Sequence, residues 1–271
     1  GTPITTEHLF QREDEWNIEG GGDYEFAVGD GRLKIIGLQR YEHSPVVVTA
    51  TDSIVGIPDT GSRFTQTANE GESVLRAEYG WGGDSQWQVA LEAAYNFIDI
   101  TSGFDRLQSN GSYASVPLTN GSSFVDEWRG EGTITHGWSL ATGLTLQTTL
   151  GAEVSQISQT GTSGLTRRFF RPKGSAALAW TVSPRLTVNA SLERQVGQLS
   201  FYDFSAAVDL QNGVTSAGNV QLVPEQTRHG EVEAIQSFGS AGSITLGAYH
   251  EWISDIVDRI PISATEEGIG N

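Results

Sequence analysis

Neither cysteine nor methionine occurs among the 271 residues. Without cysteine there is no disulfide framework, no thiolate zinc site and no thiol nucleophile. With Gly1 in place of an initiator methionine, the chain is expected to be a processed product or a fragment. No charged n-region leading into an apolar h-region opens it, so no signal peptide is read. Long hydrophobic runs are missing too: stretches such as residues 46–48 fall far short of the roughly 20 apolar residues of a spanning helix. Positive charge is scarce, with 16 Lys and Arg against 33 Asp and Glu and a formal net charge of −17. That excludes nucleic acid as a partner, because phosphate binding needs clustered cations. Charged residues make up only 18% and hydrophobic residues 37%, little for a large packed core, while glycine reaches 33 residues. A transmembrane barrel with an apolar outside and a polar inside has such a composition. A Gly-rich soluble β-protein shares it.

What is present is a period of two. In residues 87–97, Trp87, Val89, Leu91, Ala93, Tyr95 and Phe97 fall on one face, and Gln88, Ala90, Glu92, Ala94 and Asn96 on the other. Residues 140–154 repeat the pattern, with Leu140, Leu144, Leu146, Leu150, Ala152 and Val154 against Gly143, Thr145, Gln147, Thr149, Gly151 and Glu153. Residues 75–81 and 186–193 follow it, and 244–252 less cleanly. Strands in soluble domains run about 5–6 residues, whereas a tilted membrane-spanning strand needs about 9–11. The length of these runs favours the membrane.

Short turn sequences at 29–31, 82–85, 136–137, 183–184 and 239–241 alternate with long polar stretches at about 43–70, 99–123, 156–164 and 197–223. Asp30-Gly31 is expected to make a tight hairpin, because both central residues of a type I′ turn need positive φ. Tight turns at one end and long loops at the other are the layout of an outer-membrane barrel. Ten strands in five hairpins are expected: 15–28 with 32–42, 69–81 with 86–98, 124–136 with 139–156, 166–182 with 185–197, and 226–239 with 242–258. No internal repeat accompanies the spacing, which argues against a propeller or solenoid. Trp81, Trp87, Trp138 and Trp180 lie close to the short turns. Interfacial girdles place amphipathic rings at that depth; packing beneath the hairpin ends of a soluble core would place them there as well.

Candidate chemistry is sparse. The five histidines, His8, His43, His136, His229 and His250, show no metal-ligand spacing. Acidic groups at Glu13-Asp14-Glu15, Glu266-Glu267, Asp255 and Asp258 lack the spacing of a calcium loop and read as solvated charge. No G-x-S-x-G elbow occurs, and Gly29-Asp30-Gly31 lacks the strand-turn-helix context of a phosphate site. No cofactor, metal or catalytic residue is therefore expected. Arg167, Arg168 and Arg171 flank Phe169 and Phe170. Such a patch suits lipopolysaccharide phosphate or an anionic ligand, although Arg side chains facing a wet lumen would look the same. Tyr113, Phe201, Tyr202 and Phe204 lie in long polar stretches or at their edges, where recognition residues on a rigid scaffold tend to sit. Packing within the loops is the alternative.

One segment carries a resemblance. Gly218-Asn219-Val220-Gln221-Leu222-Val223-Pro224-Glu225-Gln226-Thr227 precedes a strand-like run at 228–238. The pattern G-N-x-x-L-x-P-E-x-[ST] before a long strand resembles a segment late in the barrel of TonB-dependent outer-membrane receptors. Residues 242–261, with Trp252-Ile-Ser-Asp-Ile-Val-Asp-Arg-Ile, are similar to the strand that follows in that family, and residues 23–40 to an early barrel hairpin. The resemblance implies a structural role for Gly218, Asn219, Leu222, Pro224 and Glu225. It further implies a 22-stranded barrel with an N-terminal plug that contacts TonB, and active import of a scarce nutrient such as a siderophore, cobalamin or a saccharide. Neither plug nor TonB box is found in this sequence, and residues 1–271 are expected to be an internal section of one barrel domain. The fold class expected is all-β, an antiparallel transmembrane β-barrel with about ten strands of a larger barrel. Expected partners are outer-membrane lipid and lipopolysaccharide, TonB through a plug outside this chain, and a small-molecule ligand. A complete small barrel acting as enzyme or adhesin, and a secreted β-rich binding module, are the competing readings.

Overall fold

The computed structural model describes residues 5–83, 86–118, 121–160, 164–204, 207–209, 214–216, 219, 221–263 and 266–270. Sixteen strands occur among them: β1 (Thr5–Glu13), β2 (Trp16–Val28), β3 (Gly31–Ile54), β4 (Ile57–Trp81), β5 (Gln86–Leu107), β6 (Tyr113–Val116), β7 (Ser122–Ala141), β8 (Leu144–Thr160), β9 (Leu165–Ser183), β10 (Leu186–Val196), β11 (Ala207–Asp209), β12 (Val214–Ser216), β13 (Gln226–Ser237), β14 (Ser243–Ser254), β15 (Asp258–Ser263) and β16 (Glu266–Gly270). The long strands form one antiparallel meander, β3-β4-β5-β7-β8-β9-β10-β13-β14, with β1 and β2 both on the free side of β3. β1 and β2 share one register along β3, Glu13 opposite Val46 and Trp16 opposite His43. The break between them faces Pro45, which has no N–H to give the ladder; the Asp14 N–H still donates to the Pro45 carbonyl at 3.2 Å. Counted this way there are ten long strands, and each of the five expected hairpins is present.

Their limits differ from expectation. Residues 43–70 are not a loop: β3 and β4 run on together to a turn at Val55-Gly56. β5 likewise continues to Leu107, β6 adds to its edge, and β8 continues to Thr160. The two ends of the sheet therefore differ in strand extension as well as in loop length. Polar alternation is what misled: Thr, Ser, Gln and Asn on both faces of a strand in water carry no hydrophobic period. Residues 136–137 lie inside β7, and the turn is Thr142-Gly143, where Gly143 takes φ 75°. In the first hairpin Gly29, at φ 57°, supplies the positive φ and Gly31 opens β3, so the turn is the Gly-x kind and not Asp-Gly. β14 ends at Ser254, where Asp255 turns the chain at φ 59°. Asp258 belongs to a separate small sheet, β11-β12-β16-β15, which joins the connection between β10 and β13 to the last segment of the chain.

The two faces of the large sheet differ. On β5, Ala90 is 4% exposed while its neighbour Leu91 is 62% exposed. A single sheet buries one face only where it curls around it or where a loop covers it, so even positions of β5 are inner and odd positions outer. Outer side chains carry two aromatic rows. Trp87 and Phe97 on β5, Trp138 and Trp128 on β7, and Trp180 and Phe170 on β9 are each separated by ten residues. Between the rows the outer positions are Val89, Leu91, Ala93 and Tyr95; Gly130, Gly132, Ile134 and His136; and Pro172, Gly174, Ala176 and Leu178. None is Asp, Glu, Lys or Arg. The row near the short turns is continuous across strands: Tyr79–Trp81 ring centroids are 5.4 Å apart, Trp81–Trp87 6.2 Å, Trp87–His136 3.8 Å and His136–Trp138 4.1 Å.

Candidate functional site

The inner wall is built in two zones. Nearer the short turns it is charged. Glu92 takes Arg76 at 3.2 Å and Arg129 at 3.0 Å. Lys173 bridges Glu131 at 2.6 Å and Glu153 at 2.5 Å, and Arg171 reaches Glu153 at 2.6 Å. Toward the extended ends of the strands the wall becomes apolar: Ala68, Ile98, Ile100, Val125 and Ile157 form one buried cluster. No register shift separates the zones on β5 or β7. The apolar residues have simply changed from the outer to the inner set of positions.

The connection from β10 to β13 packs on this patch. A 3-10 turn at Phe201–Phe204 drives Phe204 into the cluster, with Leu199, Phe201 and Phe169 against it. Polar contacts pin the loop on both sides. Gln159 Nε2 donates to the Phe204 carbonyl at 3.1 Å, and the Gly197 N–H to the Glu225 carbonyl at 2.8 Å. Arg167 Nη1 donates to the carbonyls of Gln221 and Leu222 at 2.5 and 2.6 Å, and the Tyr202 hydroxyl donates to Glu70. Replacing Arg167 by Met is expected to weaken docking by about 1.5 kcal/mol, the low end for hydrogen bonds from a charged donor. Amide exchange across Phe201–Phe204 should then accelerate about tenfold; unchanged exchange would mean that the apolar contacts alone hold the loop.

Within the Pro-Glu segment, Leu222 is 1% exposed and Pro224 is buried. Asn219 closes a local turn by accepting the Gln221 N–H at 2.8 Å and donates its Nδ2 to the Ile269 carbonyl at 2.7 Å. Glu225 sits beside the first residue of β13, and Gly218 lies outside the described residues. The basic-aromatic patch is split by strand alternation. Arg167 and Arg171 face inward and both lie against the Phe169 ring, at 5.0 and 4.5 Å. Arg168 is on the outer face and donates to Gln156 Oε1 at 2.9 Å. Tyr113 joins neither group: it belongs to β6, and Arg63 lies over its ring at 4.5 Å. Trp81, Trp87, Trp138 and Trp180 are all on the outer face at the short-turn end.

A cleft of about 370 Å³ remains between the docked loop and the wall. Glu42, Glu70, Glu72 and Glu127 face it along with Arg40, and Phe201 and Tyr202 close it from the loop side. It offers carboxylates, amides and two aromatic rings. Among the described residues no group of three His, Asp or Glu side chains converges as a metal-holding set. Burial first, and then the hydrogen bond to Glu70, raises the Tyr202 phenol above its ordinary value. The neutral phenol is thus the docked form. Its contribution is fully present below the ordinary phenol pKa of about 10 and is lost as pH rises above it toward the higher docked value. In an alkaline absorbance titration Tyr202 should ionise later than the exposed phenols, and Tyr202→Phe should take one tyrosine out of the late step. Loss of one tyrosine from the ordinary step instead would leave the docked hydroxyl without effect.

No protein-family model matches the sequence, and no curated protein matches it. Solved structures do. The copper transporter OprC aligns with 96% of this chain and 48% of its own, at a TM-score of 0.61 and 11% identity. The FrpB iron transporter from Neisseria meningitidis (F5-1 variant) aligns with 95% of this chain and 48% of its own, at a TM-score of 0.53 and 10% identity. The ferric citrate transporter FecA, in its unliganded form, aligns with 88% of this chain and 37% of its own, at a TM-score of 0.52 and 11% identity. This chain spans about half the length of the first two of these proteins or less than half of the third. The similarity is one of fold: the chain shares the antiparallel β-barrel architecture of these three structures.

Proposed function

We propose that this chain is part of the barrel wall of a TonB-dependent transporter in a bacterial outer membrane, importing a scarce nutrient of the siderophore, cobalamin or saccharide class, and that it is not an enzyme. The observation that carries this reading is the outer face. Ten residues of strand rise about 34 Å, and a tilt of about 40° reduces that to a height of about 26 Å, against an apolar band of about 25 Å in outer-membrane barrels. Aromatic rows at both limits and no charge between them suit that band. The charged inner wall suits a lumen that holds protein and water. Among the described residues, β14 pairs only with β13, and β1 and β2 only with β3. Hydrocarbon does not tolerate such open edges, so in this reading neighbouring strands and a plug that meets TonB come from segments outside this chain. The cleft under the β10–β13 loop, with Phe201 and Tyr202, is the place where ligand would meet the wall.

The intact mass of the native polypeptide recovered from outer membranes tests this. A mass two to three times the 29.1 kDa of this chain is expected. A mass near 29.1 kDa would replace the transporter by a complete small barrel.

A further inference from the structure

Two arginines on the outer face stand against each other and not against a carboxylate. Arg194 of β10 and Arg228 of β13 are direct cross-strand partners, and like charges directly opposite repel. Both fall on the outer set of positions, Arg194 with Ala190 and Leu192, Arg228 with Gly230 and Val232. Neither guanidinium forms an ion pair among the described residues. Arg194 donates Nη2 to Gln226 Oε1 at 2.8 Å, while its Nε is buried without a hydrogen-bond partner. The nearby Asp255 carboxylate accepts from Gln226 Nε2 at 2.9 Å instead. Arg228 lies ten residues along β13 from the exposed Phe238 beside the short turn, the same span that separates the aromatic rows. The pair therefore sits in the half of the band farther from the short turns, Arg228 at its edge and Arg194 opposite Gly174 of β9, from where long side chains reach the headgroup phosphates of the outer leaflet.

Directly below, toward the short turns, the outer face hollows into an apolar groove of about 510 Å³. Ala176, Ala190, Gly230 and Ala248 give it depth, and Leu192 and Val232 flank it. Two cations with no ion pair among the described residues, above an apolar groove, match a molecule with phosphate at one end and acyl chain at the other. We propose that Arg194, Arg228 and this groove bind one phosphorylated glycolipid of the outer leaflet, its phosphate between the guanidinium forks and an acyl chain along Ala190 and Val232. A phosphate placed there converts the like-charge pair into two charge-assisted contacts. The inference rests on the membrane reading above, but on none of the residues of the lumen.

The test uses the full-length protein, extracted from outer membranes in detergent, stripped of lipid and titrated with diphosphorylated lipid A under native mass spectrometry. One tightly held lipid A is expected. Arg194→Gln with Arg228→Gln should weaken it about tenfold or more, each charge near an anionic surface being worth roughly a factor of five to ten. Arg194→Lys with Arg228→Lys should retain most of the binding. Ala190→Trp, which fills the groove without touching charge, should also abolish it and guards against a Gln pair that fails to fold. Inorganic phosphate at the same concentration should not compete; equal competition would make this a free-anion site and overturn the lipid. Unchanged lipid A binding in the folded Gln pair would overturn the inference while leaving the transporter reading intact. A protein recovered only from the soluble fraction would overturn both.

Discussion

Leu150→Arg is expected to destabilise the barrel by about 2–4 kcal/mol, the cost of an Arg on a lipid-facing strand position near the midplane. Leu150 lies on the outer face of β8 and is 67% exposed, opposite Ile134 on β7 and Gly174 on β9. In a water-soluble protein a side chain so exposed could become Arg with a change of about 0.5 kcal/mol at most. The sign of the large effect therefore separates the two environments. Leu150 is not alone: Leu75, Leu91, Leu192, Val232 and Leu246 are each more than half exposed on the same face. A contiguous apolar surface of this kind is uncommon on a soluble monomer unless it binds something. Urea unfolding in lipid vesicles gives the number. Gln147→Arg, on the inner face of the same strand, should change it little, because lumen positions tolerate charge. Equal tolerance of Arg at both positions would remove lipid from the outer face.

On the membrane reading, the alternating portions were legible because lipid imposes the period. Every outer position in residues 87–97 must be apolar or aromatic and every inner one is free to be polar, so alternation in the sequence is alternation in space. Beyond the band the rule lapses. Residues 43–70 carry Thr, Ser, Gln and Asn on both faces with little contrast, and only Ser44, Phe64 and Ala68 become buried there, so their strand character shows in the register of β3 on β4 and not in a hydrophobic period. The inner apolar patch was missed for a related reason. Phe97 ends the outer series and Ile98 and Ile100 begin an inner one without a bulge between them. The same exchange occurs on β8, from Val154 outside to Ile157 inside. That change of phase is visible in the sequence. It marks both where a strand leaves the bilayer and where a loop returns to cover the wall. Which loop returns was not legible: Phe204 and Leu222 are apolar residues in a polar stretch, and nothing local says that Phe204 joins Ile98 and Val125 or that Leu222 is buried. The Arg167–Arg168–Arg171 cluster was open to two readings, a single basic patch or Arg side chains facing a lumen, and Arg167 and Arg171 face inward while Arg168 does not. A strand sends neighbours to opposite faces.

Glu153→Ala carries the other large effect, about 3–5 kcal/mol of destabilisation. Glu153 is 2% exposed and is the shared acceptor of Arg171 and Lys173. Its loss leaves Lys173 with Glu131 but takes from Arg171 its only carboxylate among the described residues. Arg171 is itself buried, and its Nη2 already lacks a hydrogen-bond partner. A buried cation stripped of its counter-charge costs far more than the intact pair contributes. The asymmetry can be measured in a double-mutant cycle built on Glu153→Leu, which takes the same carboxylate from Arg171. Arg171→Leu alone should also be costly, since it leaves Glu153 with Lys173 only. Glu153→Leu with Arg171→Leu should recover most of the loss, because an apolar pair of similar volume needs no compensation and Phe169 already lies against the Arg171 site. Unfolding midpoints of the four proteins in the same vesicles decide it. A single Glu153→Ala loss below about 1 kcal/mol would place the network in the range of exposed ion pairs. Water would then reach the inner wall at the level of Arg171, and the charged zone would be a wet lining and not a buried brace between β7, β8 and β9.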